Sequence, residues 1–355
     1  MPSPVKAGLR REKHRVVHER NCSVSRTVAI LSDSWAFLVL RECYFGATRF
    51  ETFQSALGLP RATLTQRLRT LTAQGLLRRV PCSGSKVRFE YRLTTMGIDL
   101  YPVLLSLLSF GDKWLAGSAK PPLYLLHNTC GCTCRAIVAC SHCKAEVHAK
   151  AVTCRDGPGA GSTPILAAKR NRRTSDPDVL DRGRPSSVTR ALKIIGDRWS
   201  FMVIREAFFG VRRFDILQAK LGIAPNILAD RLNRLVADGI FDRLKYQAFP
   251  ERFEYRFTAK GRDLFGPLLA MLRWGDRWLS GEEPPLILTH SLCGADFEPL
   301  VICDHCKKEL KAADMSYKLN YSLPSDGRAA KPNRPIVAGA RSSAGRLNPA
   351  RLRRE

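Results

Sequence analysis

Eight residues of this 355-residue chain have the types and spacing to hold metal. His127, Cys130, Cys140 and Cys143 form a His-x2-Cys-x9-Cys-x2-Cys run, and His290, Cys293, Cys303 and Cys306 repeat it. Imidazole nitrogen and thiolate sulfur are preferred ligands of Zn2+, and two pairs joined by a hairpin-sized loop can close a tetrahedron. The spacing predicts one structural Zn2+ per run, two per chain, with no coordination position open for water or substrate. His142 and His305 are substitute ligands, and Cys132 and Cys134 add thiols to the first run. Reduced cysteines packed in a small subdomain are the alternative. Cys22 stands apart. It opens a helical pattern, where a helix N-terminus lowers a thiol pKa, and is a redox candidate; a semi-buried, inert thiol is the plainer reading.

Both runs sit inside a larger repeat. A shift of 164 places puts Trp35 on Trp199, Arg41-Glu42 on Arg205-Glu206 and the unchanged Arg88-Phe-Glu-Tyr-Arg92 on Arg252 to Arg256. The copies run from about Cys22 to Lys150 and from Ser186 to Asp314. In each, apolar residues recur at helical spacing in four short segments, such as Leu64, Leu68 and Leu71 or Leu228, Leu232 and Leu235. The period then becomes two at Phe89, Tyr91 and Leu93, which predicts a β-hairpin. A longer amphipathic helix follows, capped by Thr94 or Thr258 and kinked at Pro102 or Pro267.

Helices followed by a basic hairpin make a winged helix-turn-helix. The expected fold is mainly α with small β: two winged helix-turn-helix domains, each followed by a small Cys/His zinc-ribbon-like module. The expected boundaries are a basic N-terminal tail over 1–21, a first winged helix over 22–119 and its Cys/His module over 120–153. A flexible linker follows over 154–185, then a second winged helix over 186–282, its module over 283–316 and a basic disordered tail over 317–355.

A recognition helix turns one face to the core and its N-terminal outer face to the major groove. With Leu64, Leu68 and Leu71 inside, Arg61, Thr63, Thr65, Gln66 and Arg69 point outward; the second copy offers Asn226, Asp230, Asn233 and Arg234. Arg79, Lys86 and Arg88 in one hairpin, and Arg243, Lys245 and Arg252 in the other, are positions from which a wing can hold phosphates. A solvated polar surface is the alternative for all of these.

Each copy resembles the HxlR-type transcriptional regulators. The likeness rests on Asp33-Ser-Trp35 and Asp197-Arg-Trp199, the Arg-Glu pairs, Gly46 to Phe50 and Gly210 to Phe214. It continues through Leu64 to Leu76, Leu228 to Ile240, and the Phe-Glu-Tyr-Arg segments ending at Thr94 and Thr258. The resemblance implies a winged helix that binds duplex DNA and dimerises through its terminal helices. It also implies, for some members, a cysteine at the place of Cys22 that senses oxidants. A usual member is similar to one copy, so the tandem form leaves open an intramolecular pseudo-dimer or a homodimer of chains. Because the two reading faces differ, a pseudo-dimer predicts a non-palindromic operator.

The formal net charge of +26 favours an acidic partner, and half of it falls on segments 1–20, 155–185 and 324–355. The longest apolar runs, such as Val103 to Leu108, fall far short of a bilayer span, and no apolar stretch follows the basic start. A cytoplasmic, nucleoid-associated protein without membrane contact is expected. No His-Glu-x-x-His, deaminase-type Cys pair or Gly-rich phosphate loop occurs, so no enzymatic activity is expected. The function predicted is sequence-specific transcriptional regulation, as a repressor. The alternatives are a thiol- or metal-responsive redox regulator and a nonspecific nucleic-acid-binding scaffold.

Overall fold

The computed structural model describes residues 18–82, 88–116, 120–164, 185–281 and 283–321. The first repeat contributes β1 (His18–Arg20), α1 (Ser23–Leu31), α2 (Ser34–Tyr44), α3 (Phe50–Leu57) and α4 (Arg61–Ala73). It continues through β2 (Leu77–Pro81), β3 (Phe89–Leu93), α5 (Thr95–Asp99) and α6 (Tyr101–Trp114) to β4 (Leu123–His127), β5 (Cys132–Cys134), β6 (Ala136–Cys140), β7 (Val152–Asp156) and β8 (Ser162–Pro164). The second contributes α7 (Ser187–Ile195), α8 (Arg198–Phe208), α9 (Phe214–Leu221), α10 (Pro225–Ala237), β9 (Phe241–Gln247) and β10 (Arg252–Phe257). After these come α11 (Ala259–Asp263), α12 (Phe265–Leu279), β11 (Leu286–His290), β12 (Pro299–Cys303) and β13 (Met315–Leu319). Among the described residues no single helix is long and apolar enough to cross a membrane.

Two compact units divide the chain, and neither is one repeat. Of the described residues, one draws on those within 18–34, 138–164 and 188–300, the other on those within 35–137, 185–187 and 301–321. The second of these carries the winged helix of the first repeat. Phe37, Leu40, Phe53, Leu57, Leu64, Leu68 and Leu71 are buried there, as the helical spacing requires. Its wing pairs β2 with β3 in the register Leu77↔Leu93, Arg79↔Tyr91 and Pro81↔Phe89. In the other unit Phe201, Ile204, Leu217, Leu221, Leu228, Leu232 and Leu235 fill the same roles. There β9 pairs with β10, with an irregularity at Arg252 and Phe253.

The single kinked helix after each wing is instead two helices. Thr94 Oγ1 accepts from Gly97 N at 3.1 Å and Thr258 Oγ1 from Gly261 N at 3.0 Å, so each threonine caps a short helix, α5 or α11. The chain then restarts at α6 or α12. Pro102 lies in the first turn of α6, where its missing N–H breaks no hydrogen bond. The proline thus begins a helix and does not bend one.

The expected tail and linker contain strands. β1 lies within 1–21 and pairs with β8, which lies within 154–185. β7 overlaps the start of that linker and pairs along its whole length with β11 of the second repeat, from Leu286↔Asp156 to His290↔Val152. β13 runs beyond residue 316 and pairs with β4 of the first repeat, from Met315↔His127 to Leu319↔Leu123. The Cys/His segments are therefore not self-contained modules: each has a strand paired with the other repeat. Apolar periodicity did not mark β7 and β8, because their order comes from backbone pairing and not from a buried face.

Helices are exchanged in the same way. α1 of the first repeat packs on α12 of the second. Thr27 Oγ1 donates to Met271 O at 3.0 Å, and Arg26 Nη1 donates to Leu279 O at 3.0 Å. A Cβ on Gly275 would meet Ser23 O at 2.4 Å, so only glycine admits this approach. Gly111 has the matching position against Ser187 O, at 2.1 Å.

Candidate nucleic-acid interface and metal centres

The outer faces of α4 and α10 start from different chemistry. On α4, Arg61, Thr65, Gln66 and Arg69 are exposed and Thr63 is half-buried, over the buried Leu64, Leu68 and Leu71. Arg61 is held toward α3: its guanidinium lies 5.0 Å from the Phe50 ring centroid, and Nη1 is 3.5 Å from Gln54 Oε1. The Thr65 hydroxyl donates to Arg61 O at 2.8 Å, leaving its oxygen and methyl for an outside contact. On α10, Asn226, Asp230 and Asn233 are exposed while Arg234 is half-buried. Asp230 pairs with Arg231, whose Nε also donates to Asp197 Oδ1 at 3.0 Å. Asp197 caps α8 by accepting from Trp199 N and Ser200 N, so Arg231 fastens α10 to α8.

The wings carry their cations differently. Arg79 and Arg88 are exposed, and the Arg79 guanidinium lies 3.4 Å from the Phe89 centroid; Lys86 lies outside the described residues. In the second wing Arg243 lies 4.2 Å from the Phe253 centroid, and Arg252 is exposed. Lys245 is paired with Glu251 at 2.5 Å, which offsets its charge and draws the Glu251 carboxyl below its usual range. Any phosphate must compete with that carboxylate. Sequence patterning missed the tip of this wing, where Phe249 is 93% exposed, and Arg213, 4.6 Å from the Tyr246 centroid.

The repeated Arg-Phe-Glu-Tyr-Arg segment is largely a brace. Arg92 Nη2 donates to Glu90 Oε2 at 2.8 Å and holds its carboxyl below the usual range, with Arg49 adding to the effect at 3.6 Å. Tyr91 N donates to Thr48 O at 2.7 Å, fixing the wing to the start of α3. The Arg41–Glu42 and Arg205–Glu206 pairs, at 3.0 and 2.8 Å, are buried within α2 and α8 and have no place on the outer face.

The eight Cys and His residues gather into two groups of four, but not as the runs suggested. One group is His127, Cys130, Cys303 and Cys306; the other is Cys140, Cys143, His290 and Cys293. Within each, every ligand atom lies within 4.8 Å of the others. Cys130 Sγ is 3.9 Å from Cys303 Sγ, and His127 Nδ1 is 3.4 Å from Cys130 Sγ and 3.3 Å from Cys306 Sγ. In the second group, Cys140 Sγ is 3.9 Å from Cys293 Sγ, and His290 Nδ1 is 3.3 Å from Cys143 Sγ and 3.6 Å from Cys293 Sγ. Tetrahedral zinc with ordinary bond lengths sets sulfurs ~3.8 Å apart and sulfur and nitrogen ~3.5 Å apart. The donor sets fit such an ion.

The turns that present these ligands share one form. Gly131 N donates to His127 O and Gly294 N to His290 O, each at 2.8 Å, with both glycines at positive φ. Lys144 N donates to Cys140 O and Lys307 N to Cys303 O, and both lysines have φ of 59°. They are the only non-glycine residues at positive φ among those described, a conformation that costs energy without a constraint holding it. Backbone N–H groups of Cys132 and Ala145 draw the Cys130 and Cys143 thiols down, while burial pushes Cys140 and Cys303 up. Each imidazole turns Nδ1 to its thiols, and His127 Nε2 and His290 Nε2 are buried without a hydrogen-bond partner among the described residues.

His142 and His305 are exposed and belong to neither group. Cys134 is buried beside Cys303, and its thiol is pushed up to about 12, chiefly by burial. Cys22 occupies the N-cap of α1, 8% exposed and without a side-chain capping bond.

Known proteins are similar to this chain over its helix-turn-helix segments. An uncharacterised HTH-type transcriptional regulator of Mycobacterium tuberculosis is 46% identical over 140 residues, 39% of this chain and 89% of the relative. One from Synechocystis is 35% identical over 110 residues, 31% and 81% of the two chains. A solved structure of a candidate transcription factor from Pseudomonas aeruginosa is 42% identical, with a TM-score of 0.23; the match covers 26% of this chain and 64% of that one. The profile of the HxlR-like helix-turn-helix family matches twice, at residues 30–119 and 194–283. The chain belongs to the HxlR-like helix-turn-helix family and carries that domain in tandem.

Proposed function

We propose that the chain is a sequence-specific transcriptional repressor that reads duplex DNA with α4 and α10, contacts phosphates with its wings and catalyses no covalent change. The carrying observation is the pair of outer faces on α4 and α10, each above three buried leucines but with different side chains. Arg61, Gln66 and Arg69 supply donors suited to purine edges and phosphates; Asn226, Asp230 and Asn233 supply a less basic set. A protein of this kind acts at cytoplasmic, nucleoid DNA. It needs no membrane, and its two half-sites differ.

Zinc has a structural part in this reading. Four protein ligands per cluster leave no coordination position for a substrate, so the ions stabilise the fold and take no part in chemistry.

Selection from random duplex DNA under competitor tests the proposal. The expected result is one non-palindromic site, and that site placed across a promoter loses transcript when protein is added. Enrichment of no sequence, or equal affinity for unrelated duplexes, overturns it in favour of a nonspecific scaffold.

A further inference from the structure

The composition of the two clusters has a consequence for how the repeats are held together. Cys130 and Cys303 stand 173 positions apart in the chain, and His127 and Cys306 stand 179 apart. Cys140 and Cys293 are separated by 153 positions, Cys143 and His290 by 147. Each cluster thus takes one ligand pair from the first repeat and one from the second.

We infer that the two clusters are zinc clasps that fasten the first repeat to the second. This rests on the zinc reading above and adds which residues share an ion and what the ion restrains. Strand pairing brings the same partners together: Met315 lies opposite His127, and Val152 opposite His290. The paired strands therefore deliver a ligand turn of one repeat beside the other repeat. Further backbone bonds run alongside the clusters, from Asp304 N to Arg135 O at 3.2 Å and from Ser141 N to Glu298 O at 3.1 Å.

The peptide chain between the repeats passes through residues 165–184, and the zinc ions add two cross-links that do not depend on it. A cross-link that closes a loop of this length restricts the unfolded chain strongly, and a metal clip does so reversibly. With zinc bound, the two reading helices belong to one entity even when the connecting peptide is cut. Without it, strand pairing, helix packing and the hydrogen bonds and ion pairs beside them hold the repeats. Neither repeat alone completes either cluster, since each supplies one ligand pair to each.

Two double variants of the full-length, reduced protein separate the possible pairings by counting zinc that survives a chelator challenge. Cys130→Ser with Cys306→Ser strikes one cluster twice and should leave one retained zinc. Cys130→Ser with Cys143→Ser strikes both clusters and should leave none. Pairing within each repeat reverses these counts, to none and one, and overturns the clasp. Wild-type protein should retain two; wild-type protein retaining none sinks the zinc reading itself.

A second measurement does not depend on the variants folding. A protease site inserted between residues 165 and 184 is cleaved in the folded, zinc-loaded protein. The halves should co-elute and bind the selected site as the intact chain does. Chelation of the cleaved protein under reducing conditions should weaken their association at least tenfold. Halves that separate while zinc is still bound, or whose association is the same after zinc is removed, refute the clasp.

Discussion

Gln66 and Asp230 occupy equivalent positions on α4 and α10, 164 residues apart, and offer opposite hydrogen-bonding chemistry. The amide both donates and accepts and can pair with adenine in two places, whereas the carboxylate only accepts and repels phosphate. Replacing Arg61 and Gln66 together by Ala should erase preference at one half-site and leave salt-sensitive binding. The expected cost is roughly 1–3 kcal/mol for each base that is no longer read. Binding-site selection repeated on the variant checks this, and an unchanged site would remove these residues from base reading. A second outcome belongs to the cysteines. Cys154 is exposed, while Cys22 is 8% exposed at the N-cap of α1. Alkylation followed by mass spectrometry should label Cys154 well before Cys22, and mild oxidant should affect wild-type and Cys22→Ser protein alike. Rapid labelling of Cys22 would support the sensor role that its place at a helix start suggests.

The contact of α1 with α12 determines what the terminal helices tolerate. A methyl at Gly275 would lie 2.4 Å from Ser23 O, which is backbone and cannot rotate away. Gly275→Ala should destabilise by roughly 1–3 kcal/mol, read as a lower Tm. Beside it, burial holds the Asp276 carboxyl up at about 6, against a usual 3.8, and Glu298 adds to the rise; Ser23 and Arg26 oppose it. An acid raised in this way binds its proton more tightly folded than unfolded. Its contribution to stability therefore declines as pH rises from about 4 to about 6 and stays lowered above that. Asp276→Asn should raise Tm at pH 7.5 and give little gain at pH 4. Equal gains at both values would show that burial of the charge is not the cause.

At the scale of the whole chain, charge and the repeat act together. Phosphate neutralisation releases condensed counterions, so a protein making about 6–10 phosphate contacts loses roughly 1,000-fold to 100,000-fold in affinity between 50 and 200 mM salt. A comparable fall is expected from a formal charge of +26, in titrations of the selected duplex. Because Lys245 is already paired with Glu251, the two half-sites should differ in salt slope as well as in sequence. Glu251→Gln should steepen the slope of the second half-site by freeing that ammonium. A slope unchanged by the substitution would remove Lys245 from the phosphate contacts.

Much of this was legible in the sequence because it is local. Helical spacing located α1 to α4 and α7 to α10 through their buried leucines and phenylalanines, and period two located the wings. The two-residue gap between candidate ligands determined each of these turns, down to a glycine or a strained lysine just after the closing Cys. Which turns share an ion is not local. In each run a five-residue strand, β6 or β12, leads into the second ligand pair and can carry it roughly 16 Å along the chain direction. That is too far for one ion to bridge with bonds of about 2.3 Å. The nine-residue gap reads equally well as a hairpin or as a strand. Only the pairing of β13 with β4 and of β7 with β11, whose partners lie in opposite repeats, determines which ligands meet.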